Sequence, residues 1–274
     1  MEFRTNGKNF YIENASCLSL SQTLDCGQAF RWTEQDGIWQ AMVGNRLWRL
    51  EQVGDKITVF DCSESEFYGF IVPYFDLERD YGEIVKAVSE NEVFRAAAEI
   101  AGGIRILKQD PWETLCSFII SQNNNIPRIK GIIDRLCEGF GERTDGGYTF
   151  PTAERIASLN IEELAPLRSG FRAKYILDAA RKFADGSISP EHIATLPTDE
   201  ARAELMKIYG VGEKVADCTL LFGFARIDAF PKDVWIKRAM NVLFKGVLPE
   251  CAVPFAGIAQ QYLFHYARTT KLDI

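Results

Sequence analysis

The hydrophobic pattern of this chain changes period once, and that change limits the fold more than any other feature. Its first part carries short aromatic and β-branched runs, Ile38-Trp39-Gln40-Ala41-Met42-Val43, Leu47-Trp48-Arg49-Leu50-Glu51 and Ile57-Thr58-Val59-Phe60. Asp36-Gly37 and Gly54-Asp55 stand between or beside them, residue types that supply the backbone angles of tight hairpins. An antiparallel sheet over residues 10–62 is predicted. From Ser65 onward apolar residues recur three and four apart, as in Ile84-Val85-Val88 and Val93-Phe94-Ala97-Ile100, the spacing of one helix face. Asp110-Pro111-Trp112-Glu113 reads as an N-cap with Pro in the first helical position, opening a helix that runs to Ser121. Further helices are predicted over 126–140, 152–158, 161–165, 171–183, 198–209, 213–222, 233–243 and 255–267. The fold class is α+β, a small N-terminal antiparallel sheet followed by an all-helical body.

Composition narrows the function. With 47% hydrophobic and 25% charged residues in 274, disorder is excluded as the main state. No apolar run reaches the ~18 residues of a membrane span, and Met1-Glu2-Phe3-Arg4-Thr5-Asn6 lacks a signal peptide's apolar core. A soluble, intracellular protein is expected. The net charge of −7 speaks against a nucleic-acid binder as a whole, yet binding is decided by patches within a Debye length of about 8–10 Å. Arg168, Arg172, Lys174, Arg181 and Lys182, opposed by Asp178, suggest such a patch. The seven cysteines (17, 26, 62, 116, 137, 218, 251) include no Cys-x-x-Cys pair, and His192 and His265 are the chain's histidines. Neither a zinc site nor an iron–sulfur cluster is expected, only reduced structural thiols.

Leu205-Met206-Lys207-Ile208-Tyr209-Gly210-Val211-Gly212-Glu213-Lys214-Val215-Ala216-Asp217-Cys218 carries the most chemistry. One helix ends, Gly210-Val211-Gly212 turns, and another begins at once. Glycines leave the backbone bare there, and the amides of the new helix point outward, able to hold a phosphate oxygen. A plain helix–helix turn would use the same residues. Lys214 follows in the first helical turn, where the dipole disfavours an ammonium by about 0.3–1 kcal/mol. A lysine nucleophile must shed its proton near neutrality, at a cost of roughly 4 kcal/mol, so most of that has to come from burial. Val215, Ala216, Cys218, Thr219, Leu220 and Leu221 are apolar enough to build a pocket; a phosphate contact or a solvated charge is the competing reading. Further on, Asp233 in Phe230-Pro231-Lys232-Asp233-Val234-Trp235 opens an amphipathic helix. It can be a plain N-cap, or a fixed carboxylate that stabilises positive charge on a sugar C1′.

With Lys214 and Asp233 in step, the chain resembles the 8-oxoguanine DNA glycosylase/AP-lyase branch of the helix-hairpin-helix (HhH-GPD) superfamily. The resemblance covers nearly the whole chain. It rests on Gly27-Gln28-Ala29-Phe30-Arg31-Trp32, Leu107-Lys108-Gln109-Asp110-Pro111, Ser121-Gln122-Asn123-Asn124-Asn125-Ile126 and Lys214-Val215-Ala216-Asp217-Cys218, in that order. It implies base-excision repair, with Lys214 as nucleophile and Schiff-base former and Asp233 as its carboxylate partner, followed by β-elimination. Gly27 is implied to offer its carbonyl to N7–H of 8-oxoguanine. Cys218 and Phe264 would flank the flipped base, and Gln260 would read its Watson–Crick edge. Asn123 is implied to fill the emptied stack, Phe171 to wedge the duplex, and Arg128 and Arg172 to contact the orphaned cytosine. Gly210, Val211 and Gly212 would grip the DNA backbone.

The resemblance further implies a sheet domain over 1–75 and a helical region over 76–274. The latter divides into lobes of 108–230 and of 76–107 plus 231–274, with a cleft between them. It implies no required cofactor or metal, a monovalent cation at the hairpin as an option, and a monomer acting on double-stranded DNA in a prokaryotic cytoplasm, at the nucleoid. Three positions depart from the family pattern. Tyr209 replaces the usual hairpin Pro, Trp235 stands where eukaryotic members have His, and Lys232 interrupts Pro-Val-Asp. The alternatives are a related glycosylase for other damaged bases and a noncatalytic hairpin module that only binds.

Overall fold

Six strands form one antiparallel sheet in the computed structural model, which describes residues 1–270. They are β1 (Glu2–Thr5), β2 (Phe10–Glu13), β3 (Thr33–Gln35), β4 (Ile38–Val43), β5 (Arg46–Val53) and β6 (Lys56–Val59), in the spatial order β1-β2-β6-β5-β4-β3. Alternation sets its faces: Phe10, Ile12, Trp48, Leu50, Ile57 and Val59 all point to one buried side, packed on Phe67, Ile71 and Tyr74. Between β3 and β4 the chain turns at Asp36 (φ 52°) and Gly37 (φ 83°), both left-handed, as a two-residue hairpin requires. The sheet begins earlier than the predicted residue 10. β1 is a polar edge strand that buries little beyond Phe3, whose ring meets Phe67 edge-on at 5.2 Å, so it carries almost no alternation to read.

The described residues hold nine helices of eight residues or more: α1 (Tyr81–Val88), α2 (Glu92–Ala101), α3 (Pro111–Ser121), α4 (Ile126–Phe140), α5 (Arg172–Ala184), α6 (Thr198–Leu205), α7 (Glu213–Gly223), α8 (Val234–Phe244) and α9 (Ala256–Thr269). Asp110 caps α3 as expected, its carboxylate accepting from Glu113 N at 2.8 Å with Pro111 in the first turn. Two expected helices come out differently. Residues 162–167 form a 3₁₀ turn around Pro166, and the helix predicted over 198–209 stops at Leu205. Beyond it Lys207 N and Ile208 N bond only three residues back, to Glu204 O and Leu205 O at 3.1 Å each, and Tyr209 N–H turns to Asp178 Oδ2 at 2.7 Å.

Packing sorts the helices into two sets. In one, α3 lies against α4, α5 and α7, with α6 against α7; in the other, α9 lies against α2 and α8. The approach of α7 to α3 is close: a Cβ on Gly223 would sit 3.0 Å from Pro111 Cα. In the second set Phe94 of α2 stacks on Phe244 of α8, centroids 5.1 Å apart. No helix of the described residues is long and apolar enough to cross a membrane.

Candidate active site

Lys214 belongs to α7 of the first set and Asp233 caps α8 of the second. The hairpin before Lys214 is as tight as the glycines suggest. Gly210 takes φ +80°, Val211 N donates to Ile208 O at 3.1 Å, and Gly212 is the N-cap of α7 with no side chain capping it. A Cβ at Gly210 would fall 2.4 Å from the Tyr175 ring, so glycine is required there by space as well as by φ. The start of α7 is braced from α6 by Arg202, whose Nε lies 2.5 Å from Asp217 Oδ1.

Lys214 is half-buried. Its Nζ sits 4.8 Å from the centroid of Phe118 and 3.5 Å from Ser121 Oγ, both on α3. The expected apolar pocket is therefore built differently. Val215, Ala216, Thr219, Leu220 and Leu221 face the main core, and the apolar surface beside the amine is Phe118, supported by Phe222 stacked at 5.4 Å and Phe30 edge-on at 5.8 Å. Among the described residues no carboxylate lies within 4.0 Å of Lys214 Nζ, Asp233 included. Cys218, one turn along α7 from Lys214, feels both charges. Burial pushes its thiol up to about 11; Lys214, within hydrogen-bonding reach, opposes that, while Asp217 and Asp233 add to it by charge. Asp233 accepts from Ile236 N at 2.7 Å through Oδ1, so it is a true cap, half-buried and fixed.

Every side chain of Gly27-Gln28-Ala29-Phe30-Arg31-Trp32 that can bridge does so. Buried Gln28 donates to Thr23 O and Arg105 O, both at 2.8 Å, and accepts from Leu107 N at 2.9 Å. Gln109 Nε2 then donates to Gln28 O at 2.8 Å while its own N–H reaches Phe222 O at 2.8 Å, tying the Gly27 loop to the end of α7. Arg31 reaches Glu113 of α3 at 3.4 Å, and Trp32 Nε1 donates to Tyr74 Oη at 2.9 Å. Burial pushes the Glu113 carboxyl up to about 7 against the pull of Arg31. Gly27 itself has φ +89° and open space where a Cβ would be, and its carbonyl accepts from no described residue. Sequence reasoning had not singled out Gln28, Phe118 or Ser121. Gln28 lay inside a quoted motif, whereas Phe118 reads as an ordinary core aromatic.

On α9, Gln260 is buried, its Oε1 accepting from Gln261 Nε2 at 2.7 Å, and Phe264 is half-buried with Arg268 over its ring at 5.5 Å. Helix α9 meets α7 at Gly257, whose Cβ position lies 2.4 Å from Leu221 Cδ1. Gln260 and Cys218 each lie about one turn from that contact.

The asparagine run divides its tasks. Asn125 caps α4 by accepting from Arg128 N at 3.0 Å, and Asn124 Nδ2 closes α3 on Ile120 O at 3.0 Å. Asn123 stays exposed with φ +47°. Of the arginines, Arg128 is exposed and lines a cleft with Arg168, Ser169 and Gly170. Arg172 is buried: Nε and Nη2 hold Gln122 O, Nη2 also donates to Asn123 O at 2.9 Å, and Nη1 reaches Ser169 O at 3.2 Å. Burial, then the Arg128 charge, lowers its pKa. The basic patch expected on this stretch is thus thinner than its sequence. Arg172 is turned inward and Lys182 is paired with Asp178 at 2.7 Å, leaving Arg168, Lys174 and Arg181 exposed. Phe171 is 47% exposed, and Trp235 52%. The described residues bring together no three His, Cys, Asp or Glu side chains able to hold a metal ion.

A hairpin delivering a lysine on one helical set, with a helix-capping aspartate on the other, defines the class of helix-hairpin-helix base-excision proteins. Residues 11–115 match the family described as 8-oxoguanine DNA glycosylase, N-terminal domain, and residues 116–246 the HhH-GPD superfamily base excision DNA repair protein. The N-glycosylase/DNA lyase of Saccharomyces cerevisiae is 33% identical over 255 aligned residues, 82% of this chain and 68% of that one. The solved structure of MBOgg1 with a low-affinity DNA ligand superposes with a TM-score of 0.92 at 39% identity, covering 98% of this chain and 99% of that one. The Clostridium acetobutylicum 8-oxoguanine glycosylase/lyase, solved with duplex DNA carrying cytosine opposite 8-oxoguanine, gives 0.89 at 35%, covering 99% of each. The chain belongs to the 8-oxoguanine DNA glycosylase/lyase family of the HhH-GPD superfamily.

Proposed function

We propose that this protein removes 8-oxoguanine, preferentially opposite cytosine, and then cuts the abasic strand, with Lys214 as the nucleophile. The observation that carries the reading is an amine seated on Phe118 and Ser121, unpaired by any carboxylate among the described residues, with a Cys218 thiol that feels both it and the fixed Asp233. The deprotonated amine attacks C1′ as the C1′–N9 bond breaks and its electron pair leaves with the base, which takes up a proton. Opening of the C1′–O4′ bond yields the Schiff base. Loss of a C2′ proton then expels the 3′ phosphate, and water releases the enzyme. Asp233 stabilises the positive charge developing on the sugar. The free carbonyl of Gly27 suits N7–H of 8-oxoguanine, whereas guanine offers an acceptor there, a difference of about 1–3 kcal/mol. Cys218 and Phe264 would flank the base and Gln260 meet its edge. The uncapped amides after Gly210-Val211-Gly212 would take a backbone phosphate. One chain supplies every group, so a monomer on double-stranded DNA is the working unit.

Borohydride trapping tests this reading on duplexes with one 8-oxoguanine, one alkylated purine or one oxidised pyrimidine. A covalent adduct favouring the first is expected; none on any of them would leave only a binding module. The arginines are expected to differ. Arg128→Ala should relax opposite-base preference at unchanged stability. Arg172→Ala should relax it and also lower stability by about 2–3 kcal/mol, because it strips the Gln122–Asn123 carbonyls of charged donors. Opposite-base rate ratios and denaturant titrations check both, and equal ratios in all three proteins would remove the assignment.

A further inference from the structure

We propose that Phe171, Tyr175 and Tyr209, with Lys174 laid across the last two rings, form a track for the sugar–phosphate backbone of duplex DNA, leading from the wedge to the hairpin. The three rings touch in sequence. Phe171 and Tyr175 meet edge-on at 5.6 Å, and Tyr175 and Tyr209 at 5.0 Å. Lys174 Nζ lies 5.5 Å from the centroid of Tyr175 and 5.2 Å from that of Tyr209. Tyr209 is 55% exposed, a large aromatic surface left in water at the outer rim of the hairpin. Lys174 is exposed, and among the described residues it has no carboxylate within 4.0 Å. Its charge is therefore free for a polyanion and is already held in place by the rings.

The track is rigid. Gly210 packs bare against the Tyr175 ring, and Tyr209 N–H is held by Asp178. Lys182 ties Asp178 to Lys207 O at 2.8 Å. The same bond needs a residue other than Pro at 209, since Pro would have no N–H to give. Ring geometry selects the occupant. Interplanar angles of 65° and 86° leave no parallel faces on which successive unpaired bases could stack. An unpaired Lys174 over two of the rings is unlike the charge-depleted centre of a protein interface. Both features fit a phosphate chain met by ring edges and a cation.

This proposal takes its partner from the glycosylase reading, and its test is separate. The experiment is equilibrium binding of the full chain to undamaged duplex, over about 50–200 mM salt. Lys174→Ala is expected to lower the slope of log affinity against log salt by about 0.9, one phosphate contact, and Lys174→Arg to restore it. Tyr209→Ala is expected to weaken binding about two- to five-fold with the slope kept. Lys86→Ala, exposed on α1 and paired with Glu83, should match wild type. A wild-type slope in Lys174→Ala, or wild-type affinity in Tyr209→Ala, overturns the track. Failed trapping by wild type on 8-oxoguanine would instead overturn the enzymatic reading, leaving these binding results to stand or fall alone.

Discussion

Lys214→Gln is expected to abolish both base release and borohydride trapping, a loss of about 10⁴-fold or more, while duplex binding persists. Glutamine keeps the aliphatic stem against Phe118 and a donor for Ser121 Oγ. What disappears is the one atom able to form an imine. The cation lost from the Phe118 face is worth only about 0.5–1 kcal/mol, so unfolding cannot account for a dead enzyme. Single-turnover base release, trapping and thermal melting, measured side by side, separate the two effects. Full base release by the variant would mean that water or another group attacks the sugar.

The second large effect is expected from Asp233→Asn. Asparagine caps a helix as well as aspartate does, so the bond from Ile236 N survives and the melting temperature should hold. Only the negative charge is lost. If that charge stabilises the cationic sugar, base release should fall about 10²–10³-fold. Asp233→Ala removes charge and cap together and should add about 1 kcal/mol of instability. An Asn variant with wild-type rate would show that Asp233 is a helix cap and nothing more.

Much of the architecture was legible because local forces decide it. Asp110-Pro111 marks a helix start by itself, since capping and a missing N–H act within four residues. The aromatic and β-branched run Ile38–Val43 and the helix predicted over 126–140 lie where the structure has them. Where tertiary contacts compete, the local reading went astray: the ladder loosens after Leu205, and Tyr209 N–H turns to Asp178 of α5. Edge strand β1 was missed because an edge needs no apolar alternation.

The candidate site shows the same division. Gly27, Lys214 and Asp233 stand in motifs whose order a sequence displays, and their roles are those the family resemblance implies. The surroundings of the amine are not legible there. Phe118 and Ser121 reach Lys214, and Phe222 stacks on Phe118, because α3 and α7 pack closely along their lengths, with Gly223 against Pro111 at one end. Likewise, Arg172 reads as one more surface cation until packing turns it inward onto Gln122 and Asn123. Sequence alone therefore determined the order of sheet and helices and the turn residues, which depend on neighbours within a few positions. Tertiary structure alone decided which charges are buried, which ring borders the amine and which cations stay exposed. Burial and desolvation are set by the chain segments that meet in space, and those segments lie far apart along the chain.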